Sequence, residues 1–338
     1  MDIYETVRAL CEVSGASGSE APAESLALSM LREYCPDAEI VSGNVIGNFG
    51  TYREGLPTLV LDAHIDQIGM IVTHITDEGF IKVGNIGGID RRLLPAQPVV
   101  IHGKRDIPGV VCSVPPHLLS GGSEVMKWEE VSIDAGLTKA ELEDIVSQGD
   151  SITFDVKCRR LAGERITAGA LDDRCGAAAV LRTLELLRGE DIPCNITVNF
   201  SAQEEIGERG AKIGAFRIAP DYAIAVDVSF AYAIGEDEQK CGKLGKGPMI
   251  GISPCLDRGM SEGLIRAAEK ASLPYQREVM EGLTSTNADR YSVSRGGAKV
   301  CTVSIPLRNM HTPAEVIDLR DVEFTARLIA GFVKEAGL

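Results

Sequence analysis

Between residues 68 and 158 the chain changes texture, and that change narrows the folds open to it. Short alternating apolar runs at 69–76, 80–85, 99–103, 109–114 and 151–156 are broken by Gly, Pro and Asp, with a single helical pattern at 138–146. Many short strands separated by turn residues predict a small β-barrel or sandwich. On either side the rhythm is slower. Helical patterns at 3–13 and 20–35, the second opened by Ser19 as an N-cap, lead into strand patterns at 40–42, 45–52 and 58–63. After Gly169 come a helix at 174–188, a strand at 195–201, a helix at 209–216, a strand at 222–227, a helix at 261–272, strands at 276–280 and 299–305, and a closing helix at 319–336. Alternating helices and strands predict an α/β fold, a mixed central sheet with helices on both faces. The chain therefore divides into residues 1–67 with 159–338 as one unit and 68–158 as a β-rich insert. Its 338 residues are more than one ordinary core needs.

Charge excludes some partners. The formal net charge is −15 and no basic cluster offsets it, so the averaged field repels nucleic acid and anionic membrane surfaces. The longest apolar stretches, such as 59–61 and 68–72, fall far short of the roughly 20 residues that span a bilayer. The first residues, Met1-Asp2-Ile3-Tyr4-Glu5, are acidic and helical in pattern rather than basic and then apolar, which predicts a cytoplasmic protein. Nine cysteines are scattered and never spaced Cys-x-x-Cys, which predicts reduced thiols and no thiolate zinc site. A metal, if used, must be held by oxygen and imidazole. The Gly-rich stretches 84–88 and 242–251 lack the spacing and the strand-to-helix context of a phosphate loop, so nucleotide binding is not expected.

Five apolar runs end in side chains that can ligate metal. They are Ala63-His64-Ile65-Asp66, Ala170-Leu171-Asp172-Asp173-Arg174, the pair Glu204-Glu205 after Ser201, Val226-Asp227-Val228, and Asn309-Met310-His311-Thr312-Pro313. Singly, each reads as a turn, a helix cap or a solvated loop. Together they fall where strands of an α/β sheet hand over to loops, which is where such sheets bind ligands. Imidazole with carboxylate suits zinc, cobalt or manganese. Residues i and i+2 of an extended segment share a face, so Asp66 can accept the second N–H of His64 and fix its tautomer. Neighbouring glutamates can divide their work, one binding metal and the other moving a proton.

The ordered set Ala-His-x-Asp-x-Ile-Gly, Ala-Leu-Asp-Asp-Arg, Gln-Glu-Glu-Ile-Gly-x-x-Gly-Ala, Val-Asp-Val-Ser and Arg-x-x-His-Thr-Pro-x-Glu resembles the tetrahedral aminopeptidases, family 42 of the metallopeptidases, over essentially the whole chain. That resemblance implies a zinc-exopeptidase-like catalytic domain with two divalent ions, interrupted by a β-rich dimerisation domain. It implies that His64, Asp172 and Asp227 hold one ion, that Asp172, Glu205 and His311 hold the other, and that Asp172 bridges. Glu204 becomes the general base, Asp66 orients His64, and Asp173 shapes the turn after the bridging residue. Three carboxylates against two divalent ions leave a small positive excess, which favours deprotonation of a water near neutral pH. Making Glu204 a ligand as well would cancel it. The implied activity is removal of amino-terminal residues from short peptides, and the implied assembly is built from dimers joined through 68–158, up to a twelve-subunit tetrahedron with enclosed active sites.

Gln67, Asn287 and Asn309 stand where the family commonly has Glu, Asp and Tyr, which bears on side-chain preference because the loops carrying His311 and Asn287 should line the substrate cleft. His74, His102 and His117 lie in the insert with no partner motif and read as structural or surface residues, and Trp128 as core or interface. A glycoside hydrolase would need two carboxylates flanking a sugar and no metal, which leaves both histidines and the further carboxylates unexplained. A non-catalytic protein keeping the fold would usually lack a ligand or the base, and here none is missing.

Overall fold

The computed structural model describes residues 1–115 and 125–335. Helices α1 (Ile3–Glu12) and α2 (Ala21–Leu31) precede strands β1 (Glu39–Val41), β2 (Asn44–Phe49) and β3 (Thr58–His64). Then follow β4 (Gly69–Ile75), β5 (Phe80–Ile86), β6 (Pro98–His102), β7 (Asp106–Val111), β8 (Ser132–Asp134), helix α3 (Lys139–Glu143) and β9 (Ser151–Phe154). The remainder runs β10 (Arg159–Arg160), β11 (Arg165–Ala168), α4 (Leu171–Leu187), β12 (Asn195–Ser201), α5 (Arg209–Ile218), β13 (Tyr222–Phe230), β14 (Met249–Ile252), α6 (Arg258–Lys270), β15 (Gln276–Val279), α7 (Ala288–Val293), β16 (Lys299–Leu307), β17 (Glu315–Asp318) and α8 (Leu319–Lys334).

The fold is α/β with a mixed sheet of order β1-β2-β12-β3-β13-β16-β14-β15. Its centre, β12-β3-β13-β16, is parallel, and antiparallel pairings join β2 to β12 and β14 to β16. Helices cover both faces, and the alternation along β3 shows how. Leu59, Leu61 and Ala63 enter the larger core with Leu181 and Leu184 of α4, while Val60 enters a smaller core with Ala211 and Ala215 of α5 and Tyr291 of α7. A strand buried on both faces reads as a continuous apolar run. That is why 58–63 stood out in the sequence.

The insert strands close a six-stranded barrel of order β4-β5-β8-β7-β6-β9, a barrel rather than a sandwich. Met70, Ile81, Val99, Ile133 and Ile152 fill it, and Trp128 packs partly buried against this core. His74 is exposed, His102 bonds Asp106 and Thr153 at 2.9 Å each, and His117 lies outside the described residues. Ser19 does not cap α2. Glu20 takes that position, and its carboxylate accepts the Gly18 and Gln203 N–H groups instead. All nine cysteines are free. No helix among the described residues is long and apolar enough to cross a membrane.

Beneath the strand ends lies a charged group that the sequence reading passed over. Asp62 is fully buried on β3, and its carboxylate accepts bonds from Tyr291 (2.7 Å), Asn199 (2.6 Å), Ser201 (3.0 Å) and Asn287 (2.6 Å). Asn287 is therefore a buried donor. Its side chain does not border the cavity, whereas the loop that carries it does, through Thr284, Ser285 and Thr286, as expected of that loop. An aspartate at 287 would set two carboxylates together out of water. Asn287→Asp should lower unfolding free energy by about 3 kcal/mol at pH 8, with a smaller loss at pH 5, where the pair can share a proton. Urea unfolding at the two pH values checks this, and an unchanged midpoint at pH 8 refutes it.

Candidate metal centre

Parallel alignment brings the chemistry to one edge. His64 closes β3 beside Ser201, the last residue of β12, and the Ile65 N–H bonds the Ser201 carbonyl at 2.9 Å. Beyond that edge, after Ala202 and Gln203, come Glu204 and Glu205. On the next strand Asp227 of β13 stands in register with Ser304 of β16, and β16 runs on into the loop carrying His311. Asp172 comes from the opposite direction, at the entry to α4. There Asp172 and Asp173 depart from helical geometry, the peptide between them is cis, and the regular helix starts near Arg174, as the sequence pattern predicts.

One carboxylate lies at the middle. The Nε2 of His64 is 3.0 Å from Oδ1 of Asp172, and the Nε2 of His311 is 3.3 Å from its Oδ2 and 3.2 Å from Oε2 of Glu205. Ligand atoms of His64, Asp172 and Glu205 all lie within 4.8 Å of one another. Asp227 and Glu204 line the same cavity, a space of about 770 Å³. Asp66 stands behind His64, with Oδ1 3.5 Å from Nδ1. All seven residues singled out in the sequence thus gather in one place.

Charge here is out of balance. Burial, aggravated by Asp227, Glu205 and Asp172, pushes the Glu204 carboxyl up to about 9 even against the nearby His64. Burial likewise pushes Asp227 up to about 8. For Asp172 burial works the other way from its partners, and the hydrogen bonds from His311 and His64 win, holding it below the usual carboxylate range. Burial would lower His311, yet its bonds to Asp172 and Glu205 carry it up to about 11. Crowded, poorly compensated carboxylates with two imidazoles are the donor set of a divalent cation with oxygen and nitrogen ligands. The residues present fit such an ion.

Two buried carboxylates hold the segments that carry these side chains by their backbones. Asp66 accepts the N–H groups of Glu204 (2.9 Å) and Glu205 (3.1 Å) and the hydroxyl of Ser17. Glu315 accepts those of Asp172 (3.2 Å) and His311 (3.0 Å). The sequence reading assigned Glu315 no part, although it closes the motif Arg-x-x-His-Thr-Pro-x-Glu. Arg174 was missed as well. Fully buried, it donates to the Ile65 carbonyl at 3.1 Å and to the Leu10 and Val13 carbonyls at the end of α1, where unpaired carbonyls favour a cation. The run 84–88, no phosphate loop, has a different use. At Gly88 a Cβ would lie 2.8 Å from Nδ1 of His311, so glycine lets the barrel's loop close on the site. Asn309 is exposed, adopts a positive φ that asparagine tolerates, and donates to the Ala314 carbonyl at 3.0 Å.

Comparison with known proteins agrees with this geometry. The profile of the M42 glutamyl aminopeptidase family matches residues 43–328. The chain belongs to the M42 family. It is an aminopeptidase, a hydrolase of a metal-dependent family. A lysyl aminopeptidase from Pyrococcus furiosus is 31% identical over 342 residues, spanning 98% of this chain and 97% of its own. The solved structure of an aminopeptidase from the archaeon Desulfurococcus kamchatkensis has a TM-score of 0.92 at 34% identity, covering 99% of this chain and 95% of the other. The TET1 peptidase of Pyrococcus horikoshii, which can assemble into a tetrahedron or a large octahedral shell, has a TM-score of 0.87 at 30% identity, covering 99% and 100%.

In this aminopeptidase Glu315→Ala would leave two buried N–H groups without an acceptor and free both loops. The protein should still fold, and its divalent-metal affinity should fall about 10- to 100-fold, measured by competition with a chromogenic chelator. Wild-type affinity in the variant would remove Glu315 from this part.

Proposed function

We propose that the chain is a dinuclear metalloaminopeptidase that cleaves the amino-terminal peptide bond of short peptides by attack of water, with Glu204 as general base. The observation that supports two ions is the pair of imidazoles meeting opposite oxygens of one carboxylate, His64 on Oδ1 and His311 on Oδ2 of Asp172. In this reading His64, Asp172 and Asp227 hold one ion, Asp172, Glu205 and His311 hold the other, and Asp172 is shared. Zinc or cobalt suits that set best and manganese is compatible with it. Bound divalent ions supply Lewis acidity toward the scissile carbonyl and lower the pKa of the attacking water.

Glu204 faces the cavity with no hydrogen-bond partner on its carboxylate among the described residues, so both oxygens are available to a proton in transit. Added positive charge nearby would bring its pKa down from the raised value toward neutrality, where a group both accepts and returns a proton readily. It takes the proton of the attacking water and delivers it to the leaving amine. Asp66 keeps the Glu204 backbone in place during this exchange and holds the Nδ1 side of His64.

Self-association through residues 68–158 belongs to the same proposal, as dimers that build a tetrahedral dodecamer. The barrel exposes Ile71, Phe80 and Val110 on its outer wall, apolar side chains that a partner could cover. Enclosed sites would admit only short or unfolded peptides.

A strong chelator should abolish cleavage of amino-acid anilides, and cobalt or zinc should restore it. Glu204→Gln should retain metal and lose about 10²- to 10⁴-fold in kcat. Chelator-insensitive cleavage would end the metal mechanism, and near-wild-type turnover in the variant would end the role of Glu204. Light scattering should return about twelve chain masses for the intact protein, and a pure monomer at working concentration would refute the assembly.

A further inference from the structure

Beyond the histidine–carboxylate cluster the cavity continues along the sheet toward β15, and an acidic group waits there that the reaction does not use. Glu278 lies on β15 in register with Gly251 of β14, while Met249 of β14 is in register with Ser304, itself beside Asp227. Residues in register, or two apart on one strand, share a face. Glu278, Met249, Ser304 and Asp227 therefore line one side of the sheet, and all four border the cavity. The Ser304 hydroxyl donates to Oε2 of Glu278 at 2.8 Å, and the Ser229 hydroxyl donates to Oε1.

This carboxylate is oriented but forms no ion pair among the described residues. Among the described residues two neutral hydroxyls are its only hydrogen-bonding partners, and each of its oxygens keeps a lone pair for another donor. Two cationic side chains also border the cavity, Arg277 and Lys240, and both are exposed and pair with nothing on Glu278. Arg277, next along the strand, also borders a separate hollow with Leu256 and Ile265. The cavity's lining mixes apolar side chains, Met249, Met280 and Phe230 among them, with polar ones such as Gln239, Thr284 and Thr286.

An oriented carboxylate held by two neutral hydroxyls, in a cavity that also offers the apolar side chains of Met249 and Met280, matches a cation carried on a methylene stem. We propose that this recess takes the side chain of the substrate's first residue and that Glu278 selects lysine or arginine there by pairing with its terminal cation. The inference rests on the aminopeptidase reading above. An α-ammonium group is a poorer match, because it lies two atoms from the scissile carbonyl carbon and must stay beside Glu204, Glu205 and Asp227. Glu278 is set off from that cluster by the hydroxyls of Ser229 and Ser304. A first residue with a carboxylate would set like charge against Glu278, and an uncharged one would leave it unpaired.

The test uses the metal-loaded protein with the p-nitroanilides of lysine, arginine, leucine and glutamate. Lysine and arginine should lead in kcat/KM by 10-fold or more over leucine, with glutamate last. In Glu278→Gln the lysine-to-leucine ratio should fall about 10- to 100-fold, the usual worth of a charged hydrogen bond, and Glu278→Asp should keep part of the preference. A second measurement needs no variant: free lysine should bind the wild-type protein at least 10-fold more tightly than norleucine, its uncharged counterpart, by calorimetry. Equal losses on all four anilides in Glu278→Gln, equal binding of lysine and norleucine, or a wild-type preference for leucine or glutamate would each overturn the assignment while leaving the aminopeptidase reading intact. No cleavage of any anilide would overturn both.

Discussion

The carboxylate of Asp66 is where three distant parts of the chain are held to one another. It stands just past β3, receives the backbone N–H groups of Glu204 and Glu205 beyond β12, takes the hydroxyl of Ser17 from the loop between the first two helices, and faces Nδ1 of His64. Burying such a charge costs several kcal/mol unless hydrogen bonds replace its hydration. Here burial is outweighed by the bonds from His64, Ser17 and the Glu204 backbone, which hold the carboxyl below its ordinary range. The result is a rigid corner. Moving any one of these segments would strip a donor from a group that cannot recover water, so the histidine and the glutamate pair keep a fixed relation to each other.

Glu315 repeats that solution on the other side of the site, gathering the backbones of Asp172 and His311. Arg174 completes the frame by joining the Ile65 carbonyl to the end of α1. The strands supply position, since parallel pairing of β12, β3, β13 and β16 delivers their carboxyl ends to one edge. These buried charges then supply orientation. A ligand cluster on loops alone would be far less exact, because loop backbone carries few fixed contacts.

Much of this was legible in the sequence, for identifiable reasons. The central strands are buried on both faces and so appear as unbroken apolar runs, and His64, Glu204, Glu205, Asp227 and His311 were visible as the polar residues that end or interrupt them. The insert announced itself by alternation, but closure into a barrel depends on pairings such as β4 with β9, some eighty residues apart, which no local pattern records. Short elements escaped for a related reason. β17 exists because β11 pairs with it, and β14 because it lies between β15 and β16. Asp62, Glu315 and Arg174 were overlooked because a buried charge is recognised by its partners, and theirs are distant in the chain: Asn287, Asp172 and Leu10.

Those partners also separate two kinds of carboxylate that composition alone makes identical. Asp62, Asp66 and Glu315 accept hydrogen bonds from the chain's own N–H and O–H groups on both oxygens, which fixes them in place as braces. Among the described residues Glu204 has no hydrogen bond on its side chain, and Asp227 has only the N–H of its own neighbour Val228, at 2.8 Å. Both face the cavity. Leaving these groups undersatisfied destabilises the folded chain by itself, but it makes cation binding and folding mutually supporting. An ion that binds only the folded state adds RT ln(1 + [L]/Kd), about 2.7 kcal/mol at one hundred times Kd. The same imbalance that weakens the bare site is therefore the source of its affinity for positive charge.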